Sequence, residues 1–373
     1  MSGIYIHIPF CDTKCIYCDF YSITNHSKKT EFINAILKEI KYYSPLLTNH
    51  KFDTVFFGGG TPSLLDKKDF ELIFESLYKN YSISSKSEIT IEANPGTLNR
   101  QKLGELKTLP INRISFGVQS FNDIDLKFLT RIHTSKEAIN SILSAQDAGF
   151  NNINLDLIFA LPGQTMEGWQ YNLENAVKLN TRHISAYSLI FEENTVLFNM
   201  RKQGHVNNAD IELEREMFDY TSEFLISCGY EHYEISNFAK PGYECRHNLK
   251  YWQREEYISF GPSASSFVSN KRWTNIKNLN KYIEMVETRN TAIDFEEIIS
   301  KDTAITEHIF LGLRSKGVDL AEFKSIFDYD FKSRYLTSIN MLVKGGFAEV
   351  NNNLFRLTQK GYAVCDEIAA RYF

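Results

Sequence analysis

The sequence has few cysteines, little net charge and no long apolar segment. Six cysteines in 373 residues are too few for a disulfide-rich secreted chain, so we expect a reducing compartment. The net charge of −5 provides no basic surface for nucleic acid or for an anionic membrane. No apolar run approaches the roughly 20 residues of a membrane-spanning helix, and no leader precedes the first predicted strand. We therefore expect a cytoplasmic protein with no integral membrane segment and no nucleic-acid partner.

Three of the six cysteines lie close together near the start of the chain. Cys11, Cys15 and Cys18 have C-x3-C-x2-C spacing and follow a short apolar stretch. Thiolates are the preferred ligands of iron–sulfur clusters, and three of them can hold a four-iron cluster while one iron stays open to a small molecule. Structural zinc normally has four protein ligands. The spacing therefore favours an iron–sulfur cluster over zinc, a disulfide or a purely structural loop.

The hydrophobic pattern of residues 1–205 predicts alternating strands and helices. Apolar strands are predicted at residues 4–8, 54–57, 88–92, 113–118, 153–158 and 183–189. Helices are predicted at residues 30–43, 67–78, 99–107, 135–148 and 166–178. Repeated βα units with right-handed crossovers predict an α/β fold, a partial (β/α)6 TIM-like barrel, although a doubly wound open sheet would use the same strand ends.

Two further segments are predicted after the barrel. Residues 206–300 begin with a helix at 210–226 and continue as irregular, aromatic-rich sequence. Residues 301–373 are mainly helical and include a hairpin, a pattern similar to a winged-helix unit. Because the chain is acidic, we expect this unit to pack or to cover a site rather than to bind DNA.

The unusual residues lie at the carboxyl ends of predicted strands, where parallel α/β folds place their sites. Residues 58–62 read GGGTP, which leaves room for a ligand to approach the backbone and its N–H groups. This segment has neither a Walker lysine nor the G-x-G-x-x-G spacing of dinucleotide sites. Glu92 closes the third strand and Asp156 lies in the fifth, where a carboxylate is costly to bury without a partner. We therefore expect both acids to bind a ligand.

The cysteine loop and the GGGTP segment together resemble the radical S-adenosylmethionine (SAM) superfamily. Over nearly its whole length, the chain is similar to the group that contains oxygen-independent coproporphyrinogen III oxidase and its haem-chaperone relatives. The matching segments are HIPF before the cysteines, IEANPG, FGVQSF, LTRIH and NLDLI. The resemblance implies that Cys11, Cys15 and Cys18 bind a [4Fe-4S] cluster. It also implies that the SAM pockets are lined by Tyr5, Tyr17, Gly59, Gly60, Thr61, Glu92, Gln119, Arg131, Asp156, Ala186 and Ser265.

Two features separate the oxidase from the haem chaperones. The oxidase pattern has a further cysteine two positions after the third ligand, where this chain has Phe20. Residues 247–252 match the HNxxYW motif of the haem-binding relatives, which implies that His247 is the axial haem ligand and that Tyr251 and Trp252 contact the porphyrin. A single histidine is more often a hydrogen-bonded structural residue. Cys245 is an alternative thiolate ligand.

These features predict a haem chaperone that binds a [4Fe-4S] cluster, SAM and haem. It would deliver haem to respiratory or other haem proteins, and would reach the membrane only through such partners. The resemblance allows SAM cleavage without requiring it, and leaves formation of a homodimer open. The alternative is an oxygen-independent coproporphyrinogen III oxidase. A winged-helix regulator that senses haem or redox state is a third hypothesis, against which the net charge argues.

Overall fold

A computed structural model describes all 373 residues, and its central feature is a set of six parallel strands. Each strand pairs with the next one in chain order, which confirms the predicted partial barrel. The strands are β1 (Ser2–Ile8), β2 (Lys51–Gly59), β3 (Ser82–Ala93), β4 (Arg113–Gln119), β5 (Asn152–Phe159) and β6 (His183–Ser188).

Helices connect these strands and cover the outside of the sheet. They are α1 (Lys29–Tyr43), α2 (Lys67–Asn80), α3 (Arg100–Lys107), α4 (Asp123–Phe128), α5 (Ser135–Asp147) and α6 (Met166–Lys178), with 3-10 turns at Ser44–Leu47 and Pro62–Leu64. Capping fixes several helix starts: Thr134 and Glu137 form a reciprocal capping box at α5. The apolar faces of the helices bury Ile36, Phe70 and Trp169 against the sheet, which forms the main core.

The segment that follows adds strands to both edges of the barrel sheet. Its helices are α7 (Val196–Lys202), α8 (Ile211–Ser227), α9 (Arg246–Trp252) and α10 (Leu279–Arg289). Its strands are β7 (Glu231–Glu234), β8 (Asn237–Ala239), β9 (Tyr257–Phe260), β10 (Ser265–Val268), β11 (Lys271–Asn275) and β12 (Ile293–Ile298). The sheet order is β12-β11-β10-β9-β1-β2-β3-β4-β5-β6-β8-β7. The prediction of irregular structure after α8 is therefore wrong.

The C-terminal segment has its own small sheet and its own core. Its helices are α11 (Lys301–Leu313), α12 (Leu320–Phe327), α13 (Phe331–Lys344), α14 (Gln359–Tyr362) and α15 (Cys365–Tyr372), and its strands are β13 (Val318–Asp319), β14 (Ala348–Asn351) and β15 (Leu354–Leu357). Phe323, Phe331 and Phe355 are buried in its core. Three helices followed by a hairpin give the winged-helix-like arrangement that the sequence predicts.

A backbone hydrogen bond from Ile235 N to Arg314 O, 2.8 Å long, joins this segment to the extension of the large sheet. None of the helices combines the length and the apolar composition required to cross a membrane.

Candidate functional site

The three clustered cysteines lie on the loop between β1 and α1, at the carboxyl end of the barrel. All three are half-buried free thiols. The loop is fixed by backbone hydrogen bonds from Cys11 N to Ile23 O (3.0 Å) and from Cys18 N to Cys15 O (3.2 Å). The sequence order therefore places three potential thiolate ligands at the strand ends where parallel barrels carry their sites.

A chain of hydrogen bonds links two of the sulfurs to the neighbouring strand ends. Thr61 Oγ1 donates to Cys11 Sγ (3.4 Å), and Arg131 Nη1 donates to Cys15 Sγ (3.5 Å). Asn94 connects the two donors, because its Oδ1 accepts from Arg131 Nη2 (2.6 Å) and its Nδ2 donates to Thr61 Oγ1 (2.9 Å). Sequence reasoning missed Asn94, although its position two residues after Glu92 at a strand end was an available signal.

The chemistry of these thiols suits a bound cluster. Burial raises the pKa of Cys11, and it raises the pKa of Cys18 to about 11 with a further contribution from the neighbouring Cys15 and Cys11 thiols. The thiolate forms therefore need a cationic partner, which iron supplies. No group of three or more His, Cys, Asp or Glu side chains is placed to hold a single metal ion. A four-iron cluster binds each cysteine at a different iron, so separated sulfurs fit it.

A cavity of about 550 Å³ opens beside the cysteine loop at the carboxyl ends of the strands. Cys18 and Phe20 form part of its wall. Of the predicted SAM-binding residues, the structure brings together at this cavity Tyr17, Gly59, Gly60, Glu92, Gln119, Arg131 and Asp156. Ser115 and Tyr187 also line it and were not predicted.

Two of the four carboxyl side chains that line this cavity, Glu92 on β3 and Asp156 on β5, lie on barrel strands. Glu92 accepts a hydrogen bond from Gly59 N (3.2 Å), and burial together with the nearby Asp156 carboxylate raises the pKa of Glu92 to about 8. Burial also raises the pKa of Asp156, which accepts hydrogen bonds from Ser115 Oγ (3.0 Å) and Asn154 Nδ2 (2.8 Å). Groups of this kind bind hydroxyl and ammonium donors of a ligand.

The glycine run packs the end of β2 closely against β1 and the cysteine loop. Gly59 has a φ of +105°, and a Cβ at this position would collide with the ring of His7. A Cβ at Gly60 would lie 2.6 Å from Phe10 O. The amide of Gly60 donates to Ile8 O at 2.7 Å, so the expectation that the run presents free N–H groups to a ligand is wrong at this residue.

The remaining predicted SAM residues lie outside this cavity. Tyr5 lines a second cavity of about 310 Å³ deeper in the barrel, and Thr61 is buried against Cys11. Ala186 packs in the main core. Ser265 on β10 shares a hydrogen bond with Thr274 (2.8 Å) and lines neither cavity.

The HNxxYW motif forms α9, which lies across the amino-terminal end of the barrel, opposite the cysteine loop. Asp53, near the start of β2, forms ion pairs with Lys250 (2.7 Å) and Arg246 (2.6 Å). Lys250 also donates to Met1 O at 2.6 Å. These contacts fix α9 against the first residues of β1 and β2.

His247 is buried inside the barrel with both ring nitrogens occupied. Nδ1 lies 2.8 Å from Thr54 Oγ1, and Nε2 lies 2.9 Å from Tyr251 Oη. Burial, reinforced by the positive charges of Lys250 and Arg113, lowers the pKa of His247 to about 3. The imidazole is therefore neutral, as a metal ligand must be, but an iron atom could reach Nε2 only after the Tyr251 contact breaks.

Two other residues of this region have defined positions. Cys245 is fully buried, with its Sγ 3.8 Å from Glu88 Oε1, so the alternative thiolate is enclosed by protein. Trp252 is half-buried at the end of α9. Arg113, at the start of β4, lines the deeper cavity and was missed because nothing in the sequence marks it.

Comparisons with known proteins match the whole chain. Residues 5–174 match the radical SAM superfamily, and residues 299–364 match the HemN C-terminal domain. The haem chaperone HemW of Lactococcus lactis is 34% identical over 373 residues, covering 100% of this chain and 97% of the relative. The haem chaperone HemW of Bacillus subtilis is 34% identical over 371 residues, covering 99% and 98%.

A solved structure has the same fold. Coproporphyrinogen III oxidase (HemN) from Escherichia coli, a radical SAM enzyme, superposes with a TM-score of 0.85 and covers 99% of this chain and 89% of that chain. Its sequence identity is 23%, so this similarity supports the fold alone.

Proposed function

This chain belongs to the HemW family of radical SAM proteins, and on that basis we propose that it is a haem chaperone, which binds haem and passes it to haem-accepting proteins. One observation carries the proposal: the similarity to two haem chaperones extends over 97% and 98% of their lengths. Phe20 also supports this assignment, because the oxidase pattern has a cysteine at this position. The Phe20 side chain is 67% exposed and forms part of the cavity wall.

We propose that Cys11, Cys15 and Cys18 hold a [4Fe-4S] cluster and that the adjoining cavity binds SAM. When bound, the cluster supplies an iron with an open coordination position and a one-electron donor. The protein residues position and neutralise the ligand. Glu92 and Asp156 accept from hydroxyl and ammonium groups, and Arg131 remains fixed over the cysteine loop by Asn94.

Replacement of the cysteines tests the cluster assignment directly. Alanine at all three positions should abolish the iron, the sulfide and the visible absorbance of the reconstituted protein, because no thiolate ligand remains in the loop. Alanine at Cys228, a half-buried cysteine outside the loop, is the matched control and should leave the cluster intact. Full retention of iron and sulfide in the triple variant would overturn the assignment.

We propose that haem is bound through His247. The support is the intact HNxxYW motif and the neutral state of the buried imidazole. Binding through Nε2 requires the hydrogen bond to Tyr251 to open. Recipients would include membrane respiratory enzymes, through which the protein would associate with the membrane.

The test is an anaerobic haem titration of the reconstituted protein, followed through the Soret band. His247→Ala should weaken haem binding or shift the band, whereas alanine at the exposed His205 should not. Since His247 is buried, a His247→Gln variant that keeps a hydrogen-bonding side chain controls for loss of folding. Absence of haem binding by the wild-type protein would overturn the chaperone assignment and make the oxidase assay the next step. Efficient conversion of coproporphyrinogen III with SAM and reductant would replace the chaperone assignment by the oxidase.

A further inference from the structure

The deeper cavity adjoins the SAM cavity and extends towards the opposite end of the barrel. The two cavities share Gly59, Glu92 and Asp156 as wall residues. The lower wall of the deeper cavity is formed by α9 through His247 and Tyr251. A ligand that enters at the cysteine loop can therefore extend past the acidic residues into the barrel.

Arg113 is the unusual residue of this deeper cavity. Its side chain is only 2% exposed, yet its Nε has no hydrogen-bond partner. The Arg113 side chain forms no ion pair, because no carboxylate oxygen lies within 4.0 Å of its nitrogens. Burial of a charged group without a paired partner is costly, and buried arginines are normally paired. The protein therefore keeps a set of planar donors in the cavity wall that no other side chain uses.

The neighbouring carboxylates do not occupy these donors. Glu88 favours the charged form of Arg113 but accepts hydrogen bonds from the backbone N–H groups of Arg246 (3.3 Å) and His247 (3.2 Å). Asp156 acts in the same way and accepts from Ser115 and Asn154 (3.0 and 2.8 Å). Both acids thus stabilise the positive charge from a distance and leave the guanidinium free for a ligand.

We propose that Arg113 binds a carboxylate of a ligand inside the barrel. A guanidinium donates two parallel hydrogen bonds to a carboxylate, which is the geometry that it recognises best. Ser115, Asn154 and Ser185 add hydroxyl and amide groups to the same wall. The proposal rests on the proposed function, which supplies two sources of this chemistry: a propionate of haem and the methionine carboxylate of SAM.

The test measures anaerobic binding of four probes to the reconstituted protein. The probes are haem, haem dimethyl ester, SAM and decarboxylated SAM, and the variants are Arg113→Met and Arg113→Lys. Arg182→Met is the matched control, because the Arg182 guanidinium packs on the ring of Tyr243 (5.2 Å) and does not line the cavity.

For the ligand that Arg113 recognises, Arg113→Met should weaken binding of the free acid by at least about tenfold, as expected for a charge-assisted pair. The same variant should leave binding of the matching probe without that carboxylate, haem dimethyl ester or decarboxylated SAM, unchanged, because this probe cannot pair with Arg113 in the wild-type protein either. Arg113→Lys should lie between wild type and Arg113→Met, because lysine keeps the charge and loses the planar pair of donors. If Arg113→Met does not fold, the same comparison with Arg113→Lys decides.

The outcomes separate the two proposals. If the Arg113 variants weaken binding of haem but not of haem dimethyl ester, and leave SAM binding unchanged, the ligand group is a haem propionate. If they weaken binding of SAM but not of decarboxylated SAM, and leave haem binding unchanged, it is the methionine carboxylate. If the variants weaken binding of the probes with and without the carboxylate equally, or affect neither, the Arg113 site is refuted while haem and SAM binding stand. If the wild-type protein binds neither haem nor SAM, the proposed function and the Arg113 site both fail.

Discussion

Glu39 should make the protein less stable as the pH rises from about 4.5 to 7. This carboxyl group is fully buried on α1 and connects three other parts of the fold. It accepts hydrogen bonds from Tyr282 Oη (2.6 Å) on α10, Asn275 Nδ2 (2.7 Å) on β11 and Gly261 N (2.9 Å) after β9. These donors favour the charged form, but they do not offset the cost of burial.

The size of the effect follows from the pKa. Burial raises the pKa of Glu39 from 4.5 to about 7 in the folded protein. Between these values the folded state keeps a proton that the unfolded state releases, so the stabilising contribution is complete below about pH 4.5 and is lost by about pH 7. A difference of about 2.5 pH units at 1.36 kcal/mol each corresponds to about 3.4 kcal/mol.

Urea unfolding of wild type and Glu39→Gln at pH 5 and pH 7.5 measures this contribution. The loss of free energy of unfolding between the two pH values should be about 2.5 kcal/mol smaller in Glu39→Gln, because about two of the 2.5 pH units of the Glu39 titration lie inside this range and glutamine does not titrate there. Other titrating groups contribute equally to both proteins and cancel in the comparison. Glu31→Gln, an exposed change on the same helix, should behave as wild type. An equal pH dependence in wild type and Glu39→Gln would refute the reasoning.

Three further predictions concern the site. Asn94→Ala should lower the reduction potential of the reconstituted cluster, because Arg131 loses one of the two acceptors, Asn94 Oδ1 and Gly117 O, that hold it beside Cys15 Sγ. An EPR-monitored redox titration with an unchanged potential would contradict this role. SAM affinity should rise with pH up to about 8, because the ammonium group of SAM binds ionised Glu92 better than the protonated acid. The rise should be at most about tenfold per pH unit. Calorimetry should show that Glu92→Gln removes this pH dependence. Tyr251→Phe should accelerate haem binding by freeing Nε2 of His247, and stopped-flow rates equal to or below wild type would count against ligation through that nitrogen.

The sequence predicted the barrel because its strands and helices are long enough to show their periodicity. The extension differs, since its strands are only three to six residues long and carry no clear alternation. The cysteine loop and Glu92 could be predicted because strand order alone brings them to one end of the sheet. The surroundings of His247 could not, because its partner Thr54 is 193 residues away in the chain. The unpaired state of Arg113 likewise depends on the complete barrel.

The path of residues 240–256 gives α9 a mechanical role. Before it, β8 pairs with β6 at one edge of the partial barrel, and after it, β9 pairs with β1 at the other edge. This short segment therefore connects the two edge strands of the partial barrel, β6 and β1, across the amino-terminal end of the barrel. A force that draws His247 outwards must also load both edge strands. We therefore expect movement of the HNxxYW motif to change the width of the barrel, and with it the spacing of the groups around the cysteine loop.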